Sequence, residues 1–112
     1  MTPQVPDTTK PLIRANGDGI ITYINETFTQ AFGWTSEEIV GKSLTAIIPL
    51  SFRDAHHLGF SRFLTTGIPT LLNQPLILKI LTRDGRELDT EHYITAQSEN
   101  GQWNFAATIA PL

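Results

Sequence analysis

His56 and His92 are the two side chains whose type and placement could do chemistry. Phe52, His56, Phe60 and Phe63 recur at spacings of four and three, the stripe of one helix face, which predicts a helix over 51–66 stopped by Gly67. His56 sits in the middle of that stripe, whereas His57 falls about 100° round the helix, on the side of Arg53. His92 belongs to a period-two run in which Leu88, Thr90, His92, Ile94 and Ala96 oppose Asp89, Glu91, Tyr93 and Thr95. Alternation therefore puts His92 on the buried side of a strand. A neutral imidazole can ligate a metal through one ring nitrogen and donate a hydrogen bond through the other. The plainer reading is a core histidine bonded to a backbone group. Either way both ring nitrogens need partners, because an unpaired buried polar atom is costly.

Other chemistries fit the residues less well. The chain has no cysteine, which excludes disulfides, thiolate metal sites and cysteine-based photochemistry or nucleophilic catalysis. Ser51, Asp54 and His56 crowd one helical turn on different faces, and no nucleophile elbow accompanies them. Glu37 and Glu38 stand in the first turn of a helix, where carboxylates complement the helix dipole. Trp34 is expected at a helix junction and Trp103 in a sheet, and either could stack on a flavin. No enzymatic activity is expected of this domain. A net charge of −3 with no Lys/Arg cluster argues against direct nucleic-acid binding. No apolar run approaches the roughly 20 residues of a spanning helix, and the N-terminus lacks a signal pattern. A soluble, cytoplasmic domain is expected, with no membrane partner.

The elements that must position the histidines follow from turn and cap signals. Residues 1–11 carry Pro3, Pro6 and Pro11 among polar residues and read as a flexible linker, leaving 12–112 as a single domain. Leu12 to Ala15 and Ile20 to Ile24 flank Gly17-Asp18-Gly19, which predicts a hairpin. Asn25 can cap a helix carrying Phe28, Ala31 and Phe32, with Gly33 as its stop. Thr35 or Ser36 caps the next helix, closed by Gly41, and Ser43 to Ile48 gives one more turn before Pro49. Strands are predicted over 76–82, 87–96 and 102–110, with turns at Asp84-Gly85 and Glu99-Asn100-Gly101. The order is strand, strand, helices, then three strands. That is an α+β fold, a five-stranded antiparallel sheet with helices packed on one face.

In this order and spacing, GDGIITYIN at 17–25, FGWTSEEIVGK at 32–42, Ile48-Pro49 and RDGR at 83–86 resemble the PAS domain family, from Leu12 to Ile109. The resemblance implies the PAS fold, with a sheet and helices enclosing a cavity for a cofactor or small ligand. It also implies a sensory or signal-transduction module of a multidomain protein, such as a histidine kinase or a cyclic-nucleotide enzyme, acting on an attached output domain as a homodimer. The linker before Leu12 and the outer sheet face with Tyr93 and Thr95 are candidate dimer contacts. Pro111 stands about where many members have the Asp of an Asp-x-Thr that launches a signalling helix.

Residues 53–67, RDAHHLGFSRFLTTG, are also similar to the helix that carries the iron-ligating histidine in haem-binding PAS domains of oxygen-sensing histidine kinases. Matched without gaps, His56 takes the ligand's place, with Phe60 one turn on, while Leu71, His92 and Ile94 fall where the family lines the other side of the haem. The similarity thus implies haem b held by His56, with His92 as a sixth ligand or a donor to bound gas. Leu76 stands where the oxygen sensors have an arginine that contacts the gas. A flavin, another small ligand, or no cofactor with a role in protein association are the alternatives.

Overall fold

The computed structural model describes residues 10–54 and 74–112. Five strands form one antiparallel sheet: β1 Leu12–Asn16, β2 Ile21–Ile24, β3 Pro75–Leu81, β4 Glu87–Glu99 and β5 Gln102–Pro111. Their order in space is β2-β1-β5-β4-β3, so the N-terminal strand docks beside the C-terminal one in the middle of the sheet. Two short helices, α1 Glu26–Phe32 and α2 Ser36–Ile39, and two 3-10 turns, Leu44–Ile47 and Leu50–Phe52, follow β2.

One buried cluster joins sheet and helices: Ile13, Ile21 and Ile24 from the first hairpin, Phe28 and Phe32 from α1, Ile39 from α2, Ile47, Ile80 and Ile109. The Phe28 and Phe32 rings meet edge to face with centroids 5.1 Å apart, a favoured aromatic geometry. Ile21 and Ile24 are three residues apart yet both buried, which simple alternation forbids. The register slips between Arg14, opposite Tyr23, and Ala15, opposite Ile21, and that bulge returns Ile21 to the inner face.

Local side-chain bonds fix the chain where the sequence leaves a sheet. Asn16 Oδ1 accepts from the backbone N–H groups of Asp18 and Ile20, shaping the first turn. Buried Asn25 serves two elements at once. Its Oδ1 accepts from Phe28 N at 2.9 Å, capping α1, and from Leu12 N at 3.0 Å, while Nδ2 donates to the Lys10 carbonyl. Gly33 ends α1 at φ 88°, and its N–H donates to Thr29 O. Thr35 and Glu38 form a reciprocal capping box at α2. The β4–β5 turn is Asn100-Gly101, with φ of 53° and 78°, both positive as a two-residue hairpin requires.

Several boundaries differ from those expected. The fold takes in Lys10 and Pro11, because Pro11 is buried and its carbonyl accepts from Ile109 N. β4 continues to Glu99 rather than ending at Ala96, since the Asn-Gly turn needs only two residues. The helical turn expected after Ser43 is a 3-10 turn over Leu44–Ile47, and the span expected to be helical from Ser51 begins within a 3-10 turn at Leu50–Phe52. The expected helical span from residue 55 on lies outside the described residues.

Three contacts tie the helical layer to the far hairpin. Trp34 Nε1 donates to the Leu81 carbonyl at 2.9 Å, and Arg83 N donates to Phe32 O at 3.0 Å. Arg83 also pairs with Glu38. The capping bond from Thr35, reinforced by Arg83, holds the Glu38 carboxyl below its ordinary range. At the β3–β4 turn, Thr82 donates to Asp84 and Arg86 pairs with it, which lowers the Asp84 carboxyl likewise.

A candidate ligand wall on the inner sheet face

β4 alternates as its sequence requires. Leu88, Thr90, His92, Ile94 and Ala96 are buried or half-buried, and Asp89, Glu91, Tyr93 and Thr95 are exposed. Register then decides what stands beside His92. Leu76 of β3 lies opposite it on one side and Ile109 of β5 on the other, while Ile94 is the next inward residue of β4 and faces Ala107. Three of the site residues expected from sequence, Leu76, His92 and Ile94, therefore share one continuous patch. His56, Phe60 and Leu71, the other three, lie outside the described residues.

Within this patch His92 is the polar member. It is 9% exposed, and its Nε2 lies 2.8 Å from Oγ1 of Thr90, which is fully buried. Thr90 Oγ1 in turn donates to the Leu78 carbonyl at 2.7 Å. Among the described residues no group hydrogen-bonds Nδ1. Burial away from water disfavours the imidazolium and pushes the His92 pKa down to about 4, so the ring is neutral at physiological pH. A role as sixth iron ligand would require Nδ1, or the loss of the Thr90 bond at Nε2.

Sequence reasoning placed Thr90 on the buried face but missed its part in the site. The signal was the Thr-x-His spacing, since residues two apart on a strand point the same way. Leu76 gives this wall no cation. The patch is thus apolar with one neutral heterocycle: it suits an uncharged or flat apolar molecule and offers neither a nucleophile nor a charged acid. Among the described residues no three His, Asp or Glu side chains gather to hold a metal ion. Two surface hollows of about 310 Å³ each lie elsewhere, one beside Gly33 and Arg83 and one beside Gly17 and Trp103. Among the described residues no helix is long and apolar enough to cross a membrane.

Comparison with known proteins agrees with this architecture. The chain is 29% identical over 102 residues to an uncharacterized protein of Azorhizobium caulinodans, covering 90% of this chain and 14% of the relative. It is 26% identical over 108 residues to the sensor protein FixL of Bradyrhizobium diazoefficiens, covering 96% of this chain and 21% of that one. The chain thus spans about a fifth or less of these relatives. Among solved structures, the PAS domain of the Cronobacter turicensis quorum-sensing receptor RpfR, in complex with C12:0, matches with a TM-score of 0.74 at 14% identity, over 97% of this chain and 99% of that one. The PAS domain family model matches residues 11–109, which is nearly the whole chain: it belongs to the PAS domain family, whose members are sensory modules.

Proposed function

We propose that the chain is the input module of a larger, cytoplasmic signalling protein and binds a small ligand against the inner sheet face at Leu76, His92 and Ile94. The observation that carries this reading is that patch itself: an apolar wall holding a single buried imidazole with one ring nitrogen lacking a described partner. Haem b held by His56 is the occupant proposed from the likeness of residues 53–67 to the haem helix of oxygen-sensing kinases. What supports this occupant is the apolar character of Leu76, Ile94 and Ile109, which share the inner face with His92. When bound, haem would supply gas binding or a change of iron oxidation state. This chain's own residues would hold it, exclude water and pass the change on through the sheet.

Occupancy would shift the sheet between two arrangements, and the shift would reach an attached output domain, a kinase among the candidates, through a terminus or a homodimer interface. Tyr93 and Ile77 leave apolar area on the outer face for such an interface, being 43% and 61% exposed. A second reading, a ligand that is not haem, is favoured by Leu76: the wall lacks the cation that oxygen sensors place there. The structural neighbour in complex with C12:0 supports small organic molecules as ligands of this fold.

An absorption titration with haem tests the assignment. A sharp Soret band that is lost in His56→Ala supports haem. No band, together with an organic molecule recovered on extraction of the purified protein, supports the second reading. No band and no copurifying molecule leaves protein association as the role.

A further inference from the structure

The hydrogen bonds around His92 determine which ring nitrogen carries its proton. A carbonyl oxygen can only accept, so the single proton of the Thr90 hydroxyl is committed to Leu78 O. Thr90 Oγ1 can then meet His92 only as an acceptor, and Nε2 must be the nitrogen that donates across 2.8 Å. Neutral imidazole has one proton. The opposite nitrogen, Nδ1, is left with a bare lone pair, and among the described residues nothing donates to it. The ring is 9% exposed, in a row with Leu76 and Ile109 that supplies no donor of its own. A buried acceptor without a donor is costly, and the described residues leave this lone pair open to a donor beyond them.

We propose that His92 serves the inner-face site as a fixed hydrogen-bond acceptor through Nδ1, and that the site selects neutral small molecules carrying an N–H or O–H over anions and over isosteres without a donor. This rests on the inner face being the ligand wall, and it holds whether the ligand lies there alone or between a haem and the sheet. The Leu78–Thr90–His92 chain is the device that sets the selectivity. A histidine free to exchange its proton between nitrogens could donate or accept, whereas one locked by Thr90 can only accept at Nδ1. A carboxylate would bring a lone pair to meet a lone pair, next to a ring that burial keeps uncharged. Thr90 is therefore a positioning residue and His92 the contact.

The test uses the 112-residue chain, with nitrogen-resolved NMR of its histidine rings and three probes of one shape: benzyl alcohol, benzyl methyl ether and benzoate. The expected spectrum shows His92 with its proton on Nε2, and Thr90→Val releases that preference. Benzyl alcohol should shift His92 Nδ1 and bind about 3- to 10-fold tighter than the ether, the range that one net hydrogen bond supplies, with benzoate weakest. In His92→Leu, which keeps the wall apolar, the preference for alcohol over ether should vanish while the ether still binds. A proton found on Nδ1, or equal binding of alcohol, ether and benzoate, overturns the acceptor role and leaves the ligand wall standing. If no probe moves Leu76, His92 or Ile94, the ligand wall fails and the acceptor role with it.

Discussion

Replacing Asn25 with alanine should be among the most damaging single changes in the chain. The carboxamide oxygen takes two buried backbone donors, Leu12 N at 3.0 Å and Phe28 N at 2.9 Å, and so joins the start of β1 to the start of α1. Asn25→Ala strands both N–H groups. A buried donor left without an acceptor costs about 1–3 kcal/mol, and loss of a helix cap alone about 1 kcal/mol, so the total falls at about 2–4 kcal/mol. The Lys10 carbonyl, which loses its bond to Nδ2, is only part-buried and can turn to water. Asn25→Asp separates the contributions, because it keeps the accepting oxygen, places a negative charge at the helix start and loses only the Nδ2 donor; about 1 kcal/mol is expected. Urea unfolding followed by circular dichroism gives both values from the shift in midpoint at constant slope. A loss below about 0.5 kcal/mol for Asn25→Ala, or equal losses for the two variants, would refute the dual-acceptor role.

Stability should also fall in mildly acid solution because of His92. Its pKa is about 4 in the fold against 6.5 unfolded, so the unfolded chain takes up the proton first. The stabilisation is present above pH 6.5 and is lost as pH falls towards 4, by up to about 3 kcal/mol for a gap of this size. In His92→Leu the dependence between about pH 5 and 6.5 should disappear in thermal melts, leaving the acid limb to which Glu38 and Asp84 contribute, and its persistence there would contradict the burial argument. Gly33 and Gly41 both have positive φ, at 88° and 93°, but an added Cβ meets Arg83 Cβ at 3.2 Å only at Gly33. Gly33→Ala should therefore destabilise by about 1–2 kcal/mol and Gly41→Ala by less, measured by the same urea midpoints; the reverse order would contradict it.

What could be read from the sequence was whatever a local rule enforces. Asn25, Gly33 and Thr35 announced helix ends because only a few residue types accept those backbone angles or supply those oxygens, whereas α2 stops at Ile39 with extended Val40 as its cap, two residues before Gly41. Asp84-Gly85 and Asn100-Gly101 announced their turns for the same reason, and strict alternation put His92 inward. Non-local choices were not legible. Nothing near Leu12 says that β1 will lie between β2 and β5, and the bulge that buries both Ile21 and Ile24 has no glycine to mark it. The Leu78–Thr90–His92 chain depends on the register of β3 against β4, which pattern alone leaves undetermined. The same register brings Leu76, expected as a departure from the oxygen-sensor pattern, directly beside His92.

The central claim is that ligands meet this domain on the inner face of its sheet, and ring and methyl NMR of the chain with and without haem tests it most directly. Large shifts at Leu76, His92, Ile94 and Ile109, with outward-facing Ile77 and Tyr93 unmoved, are the expected result. Shifts centred on Ile77 and Tyr93, with the inner row unchanged, would contradict it.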